Sequence, residues 1–266
     1  MNRYRAMFER CRARDEGAFG AFLMLGDPDL ESCAAYLDAL VTGGADMVEL
    51  GIPFSDPVAD GPVIQAAAER ALRARVRTAD CLGLIHSFRA KHADIPIGVL
   101  TYANIVAARG IDAFCDALDD AGADSLLVAD VPSLEAEPYA AAARLAGLDL
   151  VMISAPNTPP AALKRIADLS DGYSYCVARA GVTGADERLA LDHGRLFAAL
   201  ADLGAPLPVL GFGISKPEHV REALDSGAAG VISGSAIVRL IADRRPPSEV
   251  ADFVRLLKEA TALVPA

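Results

Sequence analysis

The sequence predicts an α/β protein, a (β/α)8 TIM barrel formed as one domain over residues 1–266, with an extra amphipathic helix over 1–14 capping it. Three observations carry this. Eight short apolar runs alternate with longer amphipathic ones. Three similar glycine turns each follow a helical pattern and precede an apolar run. The length of 266 residues suits one barrel, and no stretch reads as a linker between domains.

At the N-terminus, Tyr4, Met7, Phe8 and Cys11 fall at i, i+3, i+4 and i+7, the spacing of a helix lying on the body of the protein. The arginines and glutamate around them leave no apolar core of a signal peptide. The predicted strands are 18–25, 47–50, 95–100, 125–129, 149–154, 173–178, 207–210 and 230–232. Most are continuously apolar, as parallel strands buried on both faces are. Between them run helical stripes such as Leu30, Cys33, Ala34, Leu37, Leu40 and Val41, or Phe114, Leu118 and Ala121. Gly43-Gly44-Ala45-Asp46, Ala121-Gly122-Ala123-Asp124 and Ser226-Gly227-Ala228-Ala229 supply the turns, where glycine suits the left-handed residue that ends a helix. Pro246-Pro247 opens a last helix with Val250, Phe253, Val254 and Leu257 on its apolar side. Strand count alone favours a closed barrel here, and an open doubly wound sheet stays an alternative.

A net charge of −11 argues against a nucleic-acid partner, and no apolar stretch approaches the ~20 residues of a membrane span. The five cysteines lack metal or redox spacing and read as reduced thiols of a cytoplasmic protein. The four lysines avoid the strand centres, which disfavours imine chemistry. The four histidines lack metal-ligand spacing, so no metal is expected.

In a barrel, chemistry sits at the C-terminal ends of the strands. The second strand ends Glu49-Leu50-Gly51 and runs into a loop holding Asp56 and Asp60. A glutamate there is either an ion-pair partner or a chemical group, and position does not separate the two. Asp60 before Gly61 is equally a turn or capping residue. The seventh strand ends Gly211-Phe212-Gly213, and the eighth ends Ser233-Gly234-Ser235 before a short helix. Glycines at these two loops, with free N–H groups at a helix start, suit a phosphate. Tyr175 on the sixth strand points either into the barrel centre or to its mouth. The glycine-containing loop after it, 179–185, suits either a lid or a plain exposed loop.

These residues together resemble the tryptophan synthase alpha family. The run Glu49-Leu-Gly-Ile-Pro-Phe-Ser-Asp-Pro-Val-Ala-Asp-Gly-Pro-Val-Ile-Gln65 is similar to its signature. So, in order, are 25–28, 102–104, 128–132, 179–184, 211–215 and 232–236. The resemblance implies cleavage of indole-3-glycerol phosphate to indole and glyceraldehyde 3-phosphate, with no cofactor on this chain. It implies Glu49 as the proton-transferring acid–base and an ionised Asp60 facing the indole nitrogen, with Tyr175 beside them. Gly184, Gly213, Gly234 and Ser235, flanked by Thr183 and Gly211, match its phosphate cradle. Phe22, Ile64, Leu100, Phe212 and Ile232 match the indole walls, and 53–60 and 179–188 match two lids. The family's face around Pro53, Phe54, Asp56, Asn104 and Pro132 meets a beta subunit that carries pyridoxal phosphate, in an αββα complex. Ala107-Ala108-Arg109 and Ser154-Ala155-Pro156 depart from the family's usual residues. A stand-alone indole lyase, a catalytically silent activating subunit and another phosphate-binding barrel are the rival readings.

Overall fold

The computed structural model describes residues 2–177 and 193–263. After helix α1 (Arg3–Ala13), strands and helices alternate as β1 (Ala18–Met24), α2 (Leu30–Thr42), β2 (Met47–Gly51), α3 (Pro62–Arg73), α4 (Thr78–Lys91) and β3 (Ile97–Thr101). Then come α5 (Ala103–Arg109), α6 (Ile111–Ala121), β4 (Ser125–Val128), α7 (Glu137–Leu145), β5 (Asp149–Leu150), β6 (Ile153–Ser154), α8 (Pro160–Leu169) and β7 (Ser174–Val177). The last elements are α9 (His193–Asp202), β8 (Pro208–Gly211), α10 (Pro217–Asp225), β9 (Gly230–Ser233), α11 (Ser235–Ala242) and α12 (Pro247–Glu259).

All strand pairs are parallel, in the order β5-β4-β3-β2-β1-β9-β8-β7-β6. The two ends of that order are consecutive pieces of one stretch of chain. Asp149–Leu150 pairs with β4, and Ile153–Ser154 pairs with β7. Between them the Val151 N–H donates to Leu126 on one side, and Met152 accepts from Tyr175 on the other. The sheet therefore closes on itself as a barrel, not an open doubly wound sheet. The predicted fifth strand is split because its first half is held by one neighbour and its second half by the other. The third strand starts later than expected, at Ile97, because Pro96 has no N–H for the ladder.

Two cores result. One fills the space between the sheet and the outer helices. The other fills the barrel itself, with Met47, Tyr173, Val209 and Ile232 among its residues. Helix α1 belongs to the second. Its predicted stripe, Tyr4, Met7, Phe8 and Cys11, is buried, and the Tyr4 hydroxyl reaches Ser125 Oγ inside the barrel at 2.8 Å. In α2 the buried face is rotated from the predicted one. Leu30, at the helix start, is 39% exposed, while Tyr36 and Ala39 are covered.

The three turns work as predicted, with Gly44, Gly122 and Gly227 at φ +97°, +89° and +101°. Two carry the same aspartate device. Asp46 accepts the Phe19 N–H and Asp124 accepts the Ile97 N–H, both at 2.8 Å. Asp46 is held by Arg14 and Lys258, and Asp124 by Arg3 and Arg89. These ion pairs clamp the N-terminal end of the barrel and leave the opposite end for chemistry.

Candidate active site

Glu49 lies on β2 in register with Phe22 of β1 and Gly98 of β3. Its side chain enters the barrel and is only 3% exposed. Among the described residues no cation meets it. Instead the Tyr173 hydroxyl donates to Glu49 Oε1 at 3.2 Å. Burial pushes the Glu49 carboxyl up to about 8, the Tyr173 hydrogen bond opposes that, the Asp60 charge adds to it, and the Tyr175 hydroxyl opposes it again. Burial also holds the pKa values of both phenols well above the usual one, so they stay donors.

Asp60 stands on the loop between β2 and α3 and is 6% exposed. It is not a helix cap; Gly61 occupies that position. Its carbonyl accepts from the Gln65 side chain at 2.7 Å, which fixes the loop to the start of α3. Burial pushes its carboxyl up to about 6, and a hydrogen bond from Tyr102 pulls it down. It ionises above about 6, still below Glu49.

Tyr102 holds this loop in two further ways. Its hydroxyl accepts the Ala59 N–H at 3.3 Å, and its ring stacks on Phe54 with centroids 5.2 Å apart. The far end of α3 is pinned by Arg70, which forks onto buried Asp27 with two bonds of 2.7 Å.

One cavity at the mouth of the barrel joins these groups. Phe22, Glu49, Asp60, Ile64, Leu100, Tyr175, Phe212, Ile232, Gly234 and Ser235 line it. Tyr175 therefore faces the cavity, which settles its direction. Phe212 sits edge-on to the Tyr175 ring at 5.9 Å, with its backbone at φ +68°. A non-glycine residue pays about 1–3 kcal/mol for such a conformation.

Ser235 opens α11, and among the described residues no side chain caps that helix at Gly234. Its first N–H groups and the positive end of its dipole therefore face the cavity rim, as an anion requires. Gly211 and Gly213 do not line the cavity. Gly211 lies under the Tyr175 ring, and Gly213 turns its carbonyl to His219. Thr183, Gly184 and the loop 179–188 lie outside the described residues. At the same end of the barrel, Asp56, Asn104 and Pro132 are exposed, Phe54 is half-buried and Pro53 is buried. Ala107, Ala108 and Arg109 are exposed on α5.

Tyr102 and Tyr173 were not among the predicted site residues. The strand period contained a signal for both. Tyr173 is two residues before Tyr175, and Tyr102 two after Leu100, so each continues an inward-facing row.

The sequence profile of the tryptophan synthase alpha chain matches residues 8–263. The tryptophan synthase alpha chain of Aeromonas hydrophila is 49% identical, covering 98% of this chain and 99% of that one. That of Shewanella amazonensis is 48% identical over 98% of this chain and all of its own. Among solved structures, Mycobacterium tuberculosis tryptophan synthase superposes with a TM-score of 0.90 at 31% identity, covering 99% of both chains. The tryptophan synthase complex of Pyrococcus furiosus superposes at 0.82 and 34% identity, over 91% of this chain and 98% of the other. This chain belongs to the tryptophan synthase alpha chain family, the lyases that cleave indole-3-glycerol phosphate.

Proposed function

We propose that Glu49 and Asp60 divide the cleavage of indole-3-glycerol phosphate between them. Glu49, protonated below about 8, gives its proton to C3 of the indole ring. Asp60, ionised above about 6, faces the ring nitrogen and stabilises the positive charge that protonation creates. The Glu49 carboxylate then takes the proton from the side-chain hydroxyl next to the breaking bond. The carbon–carbon bond breaks, its electrons return to the ring, and indole and glyceraldehyde 3-phosphate leave with Glu49 protonated again. Tyr175 orients Glu49. Phe22, Ile64, Leu100, Phe212 and Ile232 hold the ring. The start of α11 at Gly234 and Ser235 takes the phosphate, with Gly184 and the Gly213 turn beside it completing the cradle.

The observation that carries this reading is two carboxyls of unlike acidity facing one apolar cavity beside an uncapped helix N-terminus. The chain works as one barrel domain without a cofactor of its own. It passes indole to a beta subunit carrying pyridoxal phosphate, in an α2β2 assembly in the cytoplasm. The reduced, buried cysteines and the existence of solved tryptophan synthase complexes support that setting.

The test is an indole-release assay on the purified chain, with and without a tryptophan synthase beta subunit. E49Q and D60N are each expected to lower kcat by roughly 10²-fold or more, with the fold intact. An E49Q variant that keeps its activity overturns the mechanism. Turnover that rises when the beta subunit is added supports the assembly, and a high rate unaffected by it favours the stand-alone lyase.

A further inference from the structure

The turn after β8 holds two successive residues at positive φ, Phe212 at +68° and Gly213 at +80°. Glycine adopts this conformation freely and phenylalanine does not, so the surroundings must hold Phe212 there. Two side chains from other elements grip the turn just beyond it. Ser233 Oγ, at the end of β9, donates to the Ile214 carbonyl at 2.7 Å. His219 Nδ1, in the first turn of α10, lies 2.9 Å from the Gly213 carbonyl. A carbonyl only accepts, so Nδ1 carries the proton in this bond. The Ser215 N–H points at the same nitrogen from 3.4 Å and the Ser215 hydroxyl lies at 3.5 Å, both much longer than the 2.9 Å bond to the carbonyl, which fixes the tautomer. The ring is half-buried and does not line the cavity, so no step of the reaction uses it.

We propose that His219 is a positioning residue for recognition of the substrate's phosphate, a phosphomonoester dianion. Its N–H fixes the Gly213–Ile214 peptide plane, because the atoms of a peptide unit move together. That plane sets the direction of the turn and keeps Phe212 in its strained conformation at the cavity wall. The Ser233 bond ties the same turn to β9, which runs straight into Gly234 and Ser235. His219 and Ser233 thus align the two loops that meet the anion. The inference rests on the reading of these loops as a phosphate cradle.

The test compares wild type, H219A and H219N. The amide of asparagine places an N–H where Nδ1–H stands, whereas alanine removes it. Inorganic phosphate serves as the competitive probe, and KM and kcat are measured for indole-3-glycerol phosphate. H219A is expected to raise KM and the phosphate inhibition constant by roughly tenfold, with kcat at saturation within about twofold. H219N is expected to bring both back toward wild type. A folded H219A with an unchanged phosphate inhibition constant overturns this inference alone. So does a folded H219N that binds phosphate no better than H219A. If H219A does not fold, H219N decides: wild-type phosphate binding supports the inference and weakened binding overturns it. Failure of phosphate to compete in wild type overturns the cradle reading, and this inference with it.

Discussion

Gly211 ends β8 directly beneath the ring of Tyr175 on the neighbouring strand β7. A Cβ at Gly211 would overlap the phenol's hydroxyl and adjoining ring carbons. The two strands are paired with Val177 opposite Gly211, so Tyr175 leans along its strand to cover the glycine. The ring can lie there, with its hydroxyl toward Glu49, only because position 211 has no side chain. G211A is expected to displace Tyr175 and lower kcat/KM by roughly tenfold, as overpacking does. The same substitution in a Y175A background is expected to cost much less. Steady-state kinetics on the double-mutant cycle measure the coupling, and additive effects would contradict the steric account.

The two carboxyls should give kcat/KM a bell-shaped pH profile. Activity falls below about 6 as Asp60 takes up a proton, and above about 8 as Glu49 loses the proton it must donate. Because Tyr102 pulls the Asp60 carboxyl down, Y102F is expected to move the acid limb to higher pH and leave the alkaline limb in place. A pH–rate profile in which Y102F shifts the alkaline limb instead would remove Tyr102 from this role.

Glu49 also sets a pH dependence of stability. In the folded protein it keeps its proton up to about 8, whereas in the unfolded chain it releases it near 4.5. Between those values the folded state binds the extra proton, so its contribution to stability falls as pH rises through that window. E49Q has no such group. Denaturant midpoints measured at intervals across the window should therefore show wild type losing ground to E49Q toward alkaline pH. Parallel curves for the two proteins would contradict the buried, protonated carboxyl.

Arg70 tests the scaffold rather than the chemistry. Asp27 is 1% exposed and its two oxygens are both taken by the Arg70 guanidinium. R70A leaves that carboxylate buried without its cation, at a cost of about 3 kcal/mol, the lower end for one partner of a buried pair. D27N/R70A is expected to recover part of the loss because no charge then remains in the site. Urea denaturation of the single and double variants measures both values.

The barrel was legible in the sequence because its signals are local. An apolar run of four to eight residues, a glycine that ends a helix and a loop of turn residues are each read from neighbours along the chain. Eight of them in alternation suggest a closed sheet, and the rule that barrels work at their strand ends leads from Glu49 to the cavity. Ten predicted residues, from Phe22 to Ser235, line that cavity. The family signature gave these residues their roles; composition and spacing alone left Glu49 and Asp60 open to structural readings.

What only the tertiary structure decided depends on groups far apart in the chain. Whether the sheet closes turned on which neighbours the 149–154 stretch bonds with. The direction of Tyr175 turned on the missing side chain at Gly211. That Glu49 meets two phenols and, among the described residues, no cation, and that Asp60 shares in the rise of pKa, depend on residues 42 to 126 positions distant. Sequence patterns report the faces of single strands and helices. They do not report how those faces converge, and it is convergence that sets the proton affinities of the two carboxyls at the mouth of the barrel.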